Sequence, residues 1–309
     1  MWLDLQIFGF RALWSPYFLS FVLGIALLYY FVTGPYRHKF GGAGQDRPSM
    51  KQQLFFYGGL LLLYAVKGAP VDLLGHIMLT GHMVQMAIYY LVFPIFIIEG
   101  IPTWLWDKVV NRRGVKPVLK VLTKPVISLL LFNVLFSLYH FPAIFEFSQT
   151  SQMVHSSISL IILAAAFIVW WPILAPFKEF NYMSPLGKIF YIFANGVLIT
   201  PACALLIFAT DPIYATYTSE GSWIQALALC VPPDVLQGLN PAISGPEMFS
   251  PFTIREDQQL GGIVMKLMQE ITYGILLAIV FFKGFAQYPE KVDSLPDQPY
   301  EQGKGQTQT

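Results

Sequence analysis

Four histidines fall near the ends of apolar stretches of the chain: His76, His82, His140 and His155. Imidazole is the commonest metal ligand among side chains. Methionines accompany it. Met83 and Met86 follow His82 within about one turn, Met153 precedes His155, and Met265 and Met268 form an i, i+3 pair. At 100° per residue, His76, Met83 and Met86 lie within about 80° of one another on a helix, and His82 shares a face with Met86. Thioether and imidazole suit soft, monovalent copper, whereas hard cations want carboxylates. The expected metal-handling set is therefore His76, His82, His140, His155, Met83 and Met86. Asp72 stands close enough in sequence to collect cations or to orient a histidine. The competing reading makes each residue a packing element, since methionine commonly fills gaps in cores. Four imidazoles at one depth argue against it, because ionisable groups within apolar spans are functional by default.

Other polar residues invite different chemistry. Lys266 and Glu270 form an i, i+4 pair inside an apolar run, read as a structural ion pair or as part of a proton or ion path. Glu146 reads as a solvated loop acid or a histidine partner. His38 lies in a basic stretch and reads as solvated. The two cysteines, Cys203 and Cys230, form no CxxC pair and no disulfide framework. No stretch reads GxGxxG or GxxxxGK[ST]. A net charge of +1 gives no basis for nucleic-acid binding.

The elements that must position these residues are membrane helices. Of the 309 residues, 55% are hydrophobic and only 12% charged, about half the charged share of soluble domains. Mean hydropathy is +0.55. Apolar residues fall in blocks of about twenty, the length that crosses a hydrocarbon core. The pattern predicts an all-α, polytopic protein with seven transmembrane helices: 16–32, 53–66, 72–98, 126–140, 152–174, 189–209 and 261–282. The third, at about 1.5 Å per residue, is about 40 Å long and must tilt or project. Residues 1–285 form the spanning domain, and the polar segment 286–309 reads as a disordered cytoplasmic tail.

Fifteen of the lysines and arginines fall in connections on one side of this arrangement, against Arg11, Lys67 and Arg255 on the other. The bias predicts an N-terminus outside and a C-terminus in the cytoplasm, with all four histidines in the outer halves of their spans. The first span has no basic segment before it, so it does not read as a cleavable signal. Trp14, Trp104, Trp106, Trp170 and Trp171 sit at predicted boundaries and read as interfacial anchors. The long outer connection, 211–259, reads as a lid with a short helix at 222–229.

Several stretches together resemble the CtaG family, assembly factors of caa(3)-type cytochrome c oxidase in Gram-positive bacteria. They are IFGFRALWSPYF at Ile7–Phe18, Gly34–Pro35, GHxxxxGHMVQM at Gly75–Met86, FSLYHFPAIFE at Phe136–Glu146, His155 through WWPIL at Trp170–Leu174, and DQQLGG at Asp257–Gly262. The resemblance implies seven spans in a bacterial plasma membrane, a role in oxidase maturation, and a part in delivering copper to the catalytic copper site. It implies no enzymatic turnover. It marks His76, His82, His140 and His155 as metal-handling positions and Asp257, Gln258 and Gln259 as a motif. The implied partners are oxidase subunit I or its assembly intermediates, a copper donor protein and the bilayer. An unrelated single-span family under the same label delivers copper through a cysteine pair, which this chain lacks.

The leading expectation is a metallochaperone holding Cu(I) at the outer face. The alternatives are a transporter or channel for a metal ion or proton, and a haem- or quinone-binding redox protein. A transporter needs titratable groups through to the inner face, and the inner halves of the predicted spans carry no His, Asp or Glu.

Overall fold

The computed structural model describes residues 2–42, 44, 46–239 and 245–286. It is helical, with no strand among the described residues. Three short helical pieces lead into α1 (Pro16–Thr33). α2 (Met50–Lys67) starts on a reciprocal cap, in which Ser49 Oγ accepts from the Gln52 amide and the Gln52 side chain accepts from the Ser49 amide. Next come α3 (Pro70–Ile77) and α4 (Leu79–Met86), then a π-helical stretch, Ala87–Val92, and α5 (Phe93–Gly100). α6 (Val115–Leu122) leads into α7 (Pro125–Tyr139). α8 (Gln152–Leu174) and α9 (Pro185–Ile207) are long, and the connection after α9 contains α10 (Glu220–Leu227). α11 (Ile254–Ala286) closes the bundle.

Among the described residues five helices are long and apolar enough to cross a membrane, and the count reaches seven if two bent pairs are each one span. The bent pairs are α2 with α3, at 40°, and α6 with α7, at 81°. The expected third span is corrected here. Residues 72–98 are not one helix, because Met78 is extended (φ −139°, ψ 148°) and separates α3 from α4. The crossing segment is Leu79–Gly100, and α3 belongs with α2. A break, rather than a tilt, disposes of the excess length. The last span also begins earlier than expected, at Ile254, which places Asp257 in its first turn.

Two proline and glycine effects shape the core. Pro94 has no N–H for the carbonyl of Tyr90, four residues back, and Trp170 Nε1–H donates to that carbonyl at 3.3 Å. Trp170 is fully buried and Trp171 nearly so. They hold helices together inside the bundle and are not the interfacial anchors that their positions at a span end suggested. Elsewhere the backbones of α2 and α5 cross closely at Gly100, where an added Cβ would lie 2.5 Å from the Phe56 nitrogen. The segment 287–309, expected as a disordered cytoplasmic tail, lies outside the described residues.

Candidate metal site

The site is built on the crossing of α3 and α4. A Cβ on Gly81 would stand 2.6 Å from the Leu74 carbonyl oxygen, and one on Gly75 would stand 3.4 Å from His82 Cα. At Gly81 only glycine lets the two backbones approach this closely. The GHxxxxGH motif thus has a steric logic: its glycines form the crossing and its histidines are carried into the core beside it. His76 and His82 are both buried.

The start of α4 is held from the far end of the chain. Asp257 Oδ2 accepts from the Leu79 amide at 2.7 Å, both its carboxylate oxygens lie 3.4 Å from the Thr80 amide, and the Thr80 hydroxyl donates to the Asp257 carbonyl at 2.9 Å. Asp257 therefore caps α4 in trans, where backbone amides have no partner of their own. Gln258 Oε1 accepts from the Ile213 amide at 2.8 Å, and Gln259 Nε2 donates to the Ala209 carbonyl at 3.3 Å. Gly261 then presses α11 onto α4 near Met83, and Gly262 presses it onto α9 near Leu206. DQQLGG is a clamp.

Each histidine keeps an unused nitrogen. His76 Nδ1 lies 2.9 Å from the Asp72 carbonyl and His140 Nδ1 lies 2.7 Å from the Phe136 carbonyl. A carbonyl only accepts, so in both rings Nδ1 carries the hydrogen, and Nε2 of the neutral ring is left with a lone pair. Among the described residues both Nε2 atoms are buried without a partner, as are His82 Nε2 and His155 Nδ1. Buried polar atoms are ordinarily bonded, so four such nitrogens in one region need an explanation. The rings of His76 and His155 have centroids 5.6 Å apart. Those of His82 and His140 both pack on Tyr139, at 5.9 and 5.4 Å.

The His76–His155 pair lines a cavity of about 450 Å³, whose walls include Lys67, Asp72, Ser156, Ser159 and the rings of Phe18, Phe21, Tyr89 and Phe93. Among the described residues no three His, Cys, Asp or Glu side chains come together as a metal cluster. His76 and His155 form a pair, and His82 and His140 share the Tyr139 ring as a neighbour.

The other expected members take different places. Met83 and Met86 are buried, and Met83 packs against Gly261 of α11. Met265 is also buried, whereas Met153 is 80% exposed and stands away from the site. Asp72 does orient His76, through its carbonyl, while its carboxylate takes Gln85 Nε2 at 2.6 Å and faces Lys67 at 3.9 Å. Glu146 partners no histidine. It accepts from the amide and hydroxyl of Thr216, at 3.0 and 2.7 Å.

That contact belongs to a covering layer whose residues the sequence pattern does not reveal. Tyr214 donates to the His140 carbonyl at 2.7 Å, Tyr217 to the Gly75 carbonyl at 3.0 Å, and Trp223 Nε1 to the Ile77 carbonyl at 3.3 Å. The last two satisfy the end of α3, where carbonyls lack helical partners. All three rings are buried, and burial pushes both tyrosine hydroxyls to higher pKa. The connection expected as a lid does pack over the histidine end, and α10 is the expected short helix, shifted by two residues.

The Lys266–Glu270 pair forms as expected, at 2.7 Å. An unpaired charge at a helix centre in a bilayer costs about 2.5–3.5 kcal/mol on insertion scales, and pairing relieves much of that.

No curated protein and no solved structure matches the chain. One family model does, that of the cytochrome c oxidase caa3 assembly factor, over residues 27–287. The stretch Ile7–Phe18 falls before the match, while the glycine crossing, all four histidines and the DQQLGG clamp lie within it. The chain belongs to the cytochrome c oxidase caa3 assembly factor family.

Proposed function

We propose that the protein holds one Cu(I) as cargo on the outer side of a bacterial plasma membrane and passes it to the catalytic subunit of the oxidase. The observation that carries this reading is the His76–His155 pair, with unpartnered buried nitrogens beside a cavity. Two neutral imidazoles give monovalent copper a low-coordinate site that a third ligand can enter, as transfer requires. The Asp72 carbonyl fixes the His76 tautomer, which removes a rearrangement from the binding step. His82 and His140, on either side of Tyr139, supply a second station, and Met83 and Met86 place thioethers on the helix that carries His82. Nothing is turned over, so the role is that of a chaperone. A copper donor would load the site from outside, and subunit I or an assembly intermediate would unload it.

The positive-inside bias supports seven spans with the N-terminus outside and the C-terminus cytoplasmic. A reporter at the C-terminus should then be active only in the cytoplasm and one inserted near Ser222 only outside. The reverse pattern would place the histidines on the wrong side.

Titration of the purified protein with Cu(I) against a competing chelator tests the site. About one ion per chain is expected, with His76→Ala or His155→Ala weakening affinity at least tenfold and His38→Ala changing nothing. Unchanged affinity in the variant lacking His76, His82, His140 and His155 would sink the metal reading and leave assistance by protein contacts alone.

A further inference from the structure

Glu270 is the middle residue of α11, and the helix presents it outward. Its side chain is 60% exposed, whereas that of Lys266 is 29% exposed. The flanking Leu267 and Ile271 are exposed to 57% and 62%, so this side of the helix faces lipid. A carboxylate is thus held at mid-bilayer depth on the outer surface of the bundle.

Lys266 does not complete it. The ammonium has three protons, and three acceptors surround it: Glu270 Oε1 at 2.7 Å, Gln269 Oε1 at 2.8 Å and Thr200 Oγ1 at 3.0 Å. The second carboxylate oxygen of Glu270 has no partner among the described residues. Hydrocarbon supplies no donor, and a polar group facing it gains by pairing with one on another helix. One turn further along, the space around Gly274 is open, with nothing within 4 Å of an added Cβ. A second helix can therefore bring its backbone close to α11 beside the carboxylate, as small residues permit in membranes.

A second copy packed symmetrically, α11 against α11, is a poor occupant. In one bilayer it would offer the same α11 at the same depth. Its Lys266 protons are used, its Thr272 hydroxyl donates to the Met268 carbonyl at 2.8 Å, and its Gln269 and Tyr273 are buried. Two such faces would meet carboxylate to carboxylate, with no donor between them.

We infer that the lipid-facing side of α11 at Glu270 and Gly274 docks a transmembrane helix of another protein, one carrying a hydrogen-bond donor side chain at mid-bilayer. Given the family's role, that helix belongs to a membrane subunit of the oxidase under assembly. The inference does not depend on copper binding.

A photo-crosslinking residue at Ile271 of the full-length protein, in membranes of cells making the oxidase, tests it, with a probe at Leu23 on α1 as the control face. The Ile271 probe should yield an adduct with an oxidase membrane subunit, mapped by mass spectrometry to a helix bearing a donor side chain. The Leu23 probe should yield none. Glu270→Leu should reduce the adduct about fivefold, the size expected for one interhelical hydrogen bond in a bilayer, with Glu270→Gln in between. Adducts with lipid or a second copy alone, an oxidase helix without a donor, or an unchanged adduct in Glu270→Leu would each overturn the inference. So would failure of both variants to fold, which would make the pair an internal strut.

Discussion

The histidine end and the middle of α11 both place polar side chains in an apolar protein, and they do so in opposite ways. At the histidine end the surrounding backbone is bonded in detail by Tyr214, Tyr217 and Trp223, and the imidazole nitrogens are left over, two of them beside a cavity. On α11 the cation is saturated from within and the leftover acceptor points outward. A buried lone pair can be met only by something small enough to reach it. An outward carboxylate in lipid can be met by a whole helix. The direction of the unmet group, more than its identity, separates a place for a small ligand from a place for a helix.

Substitution of glycine should break the comparison most sharply. Gly81→Val would drive a branched side chain into the Leu74 backbone, for which overpacking costs ~1–3 kcal/mol or more. Loss of folded protein in a thermal melt is expected. Gly274→Ala meets open space and should leave the melt unchanged or slightly raised. Equal damage at both positions would mean that the α3–α4 crossing has no special tightness.

Lys266→Met is expected to come next. Stranding one charge at mid-bilayer costs up to about 2.5–3.5 kcal/mol on insertion scales, and the double variant with Glu270→Met should recover much of the yield. Neither should alter copper affinity. Conversely, replacing both His76 and His155 by Ala should abolish most copper binding, while loss of the bond from His76 Nδ1 to the Asp72 carbonyl lowers stability by ~1 kcal/mol.

Smaller still is Tyr217→Phe, which removes one hydrogen bond to the Gly75 carbonyl and should lower stability by ~1 kcal/mol. A larger loss would make the covering layer a structural keystone. The smallest effect lies at the opposite, basic end, where Lys116 and Lys120 flank Glu179 at 3.1 and 3.2 Å. Their hydrogen bonds and charge hold the carboxyl below its ordinary pKa. The folded state is therefore favoured above the unfolded carboxyl's pKa, about 4.3, and that advantage is lost as pH falls through the lowered value. A slight acid-side difference between the melts of the protein and Glu179→Gln should be the whole effect.

The spans were legible because hydropathy is a property of composition, which survives any detail of packing. The break at Met78 was not, because that residue is neither proline nor glycine. What interrupts the helix is the Asp257 carboxylate at the new N-terminus and the glycine crossing beside it, both tertiary. The helical wheel that grouped His76 with Met83 and Met86 assumed a continuity that this break removes. The histidines could be singled out by residue type alone, yet their grouping depends on Tyr139, which an apolar run conceals. Trp170 and Trp171 stand at a span end in sequence but turn into the bundle, where the Tyr90 carbonyl freed by Pro94 gives Trp170 a partner. Glu146 and the Asp257 motif were visible as polar residues, and their bonding could not be read without knowing which backbone amides lacked partners.

The capping of α4 by Asp257 also has a consequence in time. The two ends of that contact are 178 residues apart, and the acidic end is made last. While the ribosome is still producing the earlier helices, the start of α4 has no cap and the histidine crossing no clamp. The region is fastened only when α11 enters the membrane, so a chain truncated before Asp257 would carry its histidines without the contact that orders them. The order of the histidine region thereby waits on a carboxylate carried by a helix made long after it.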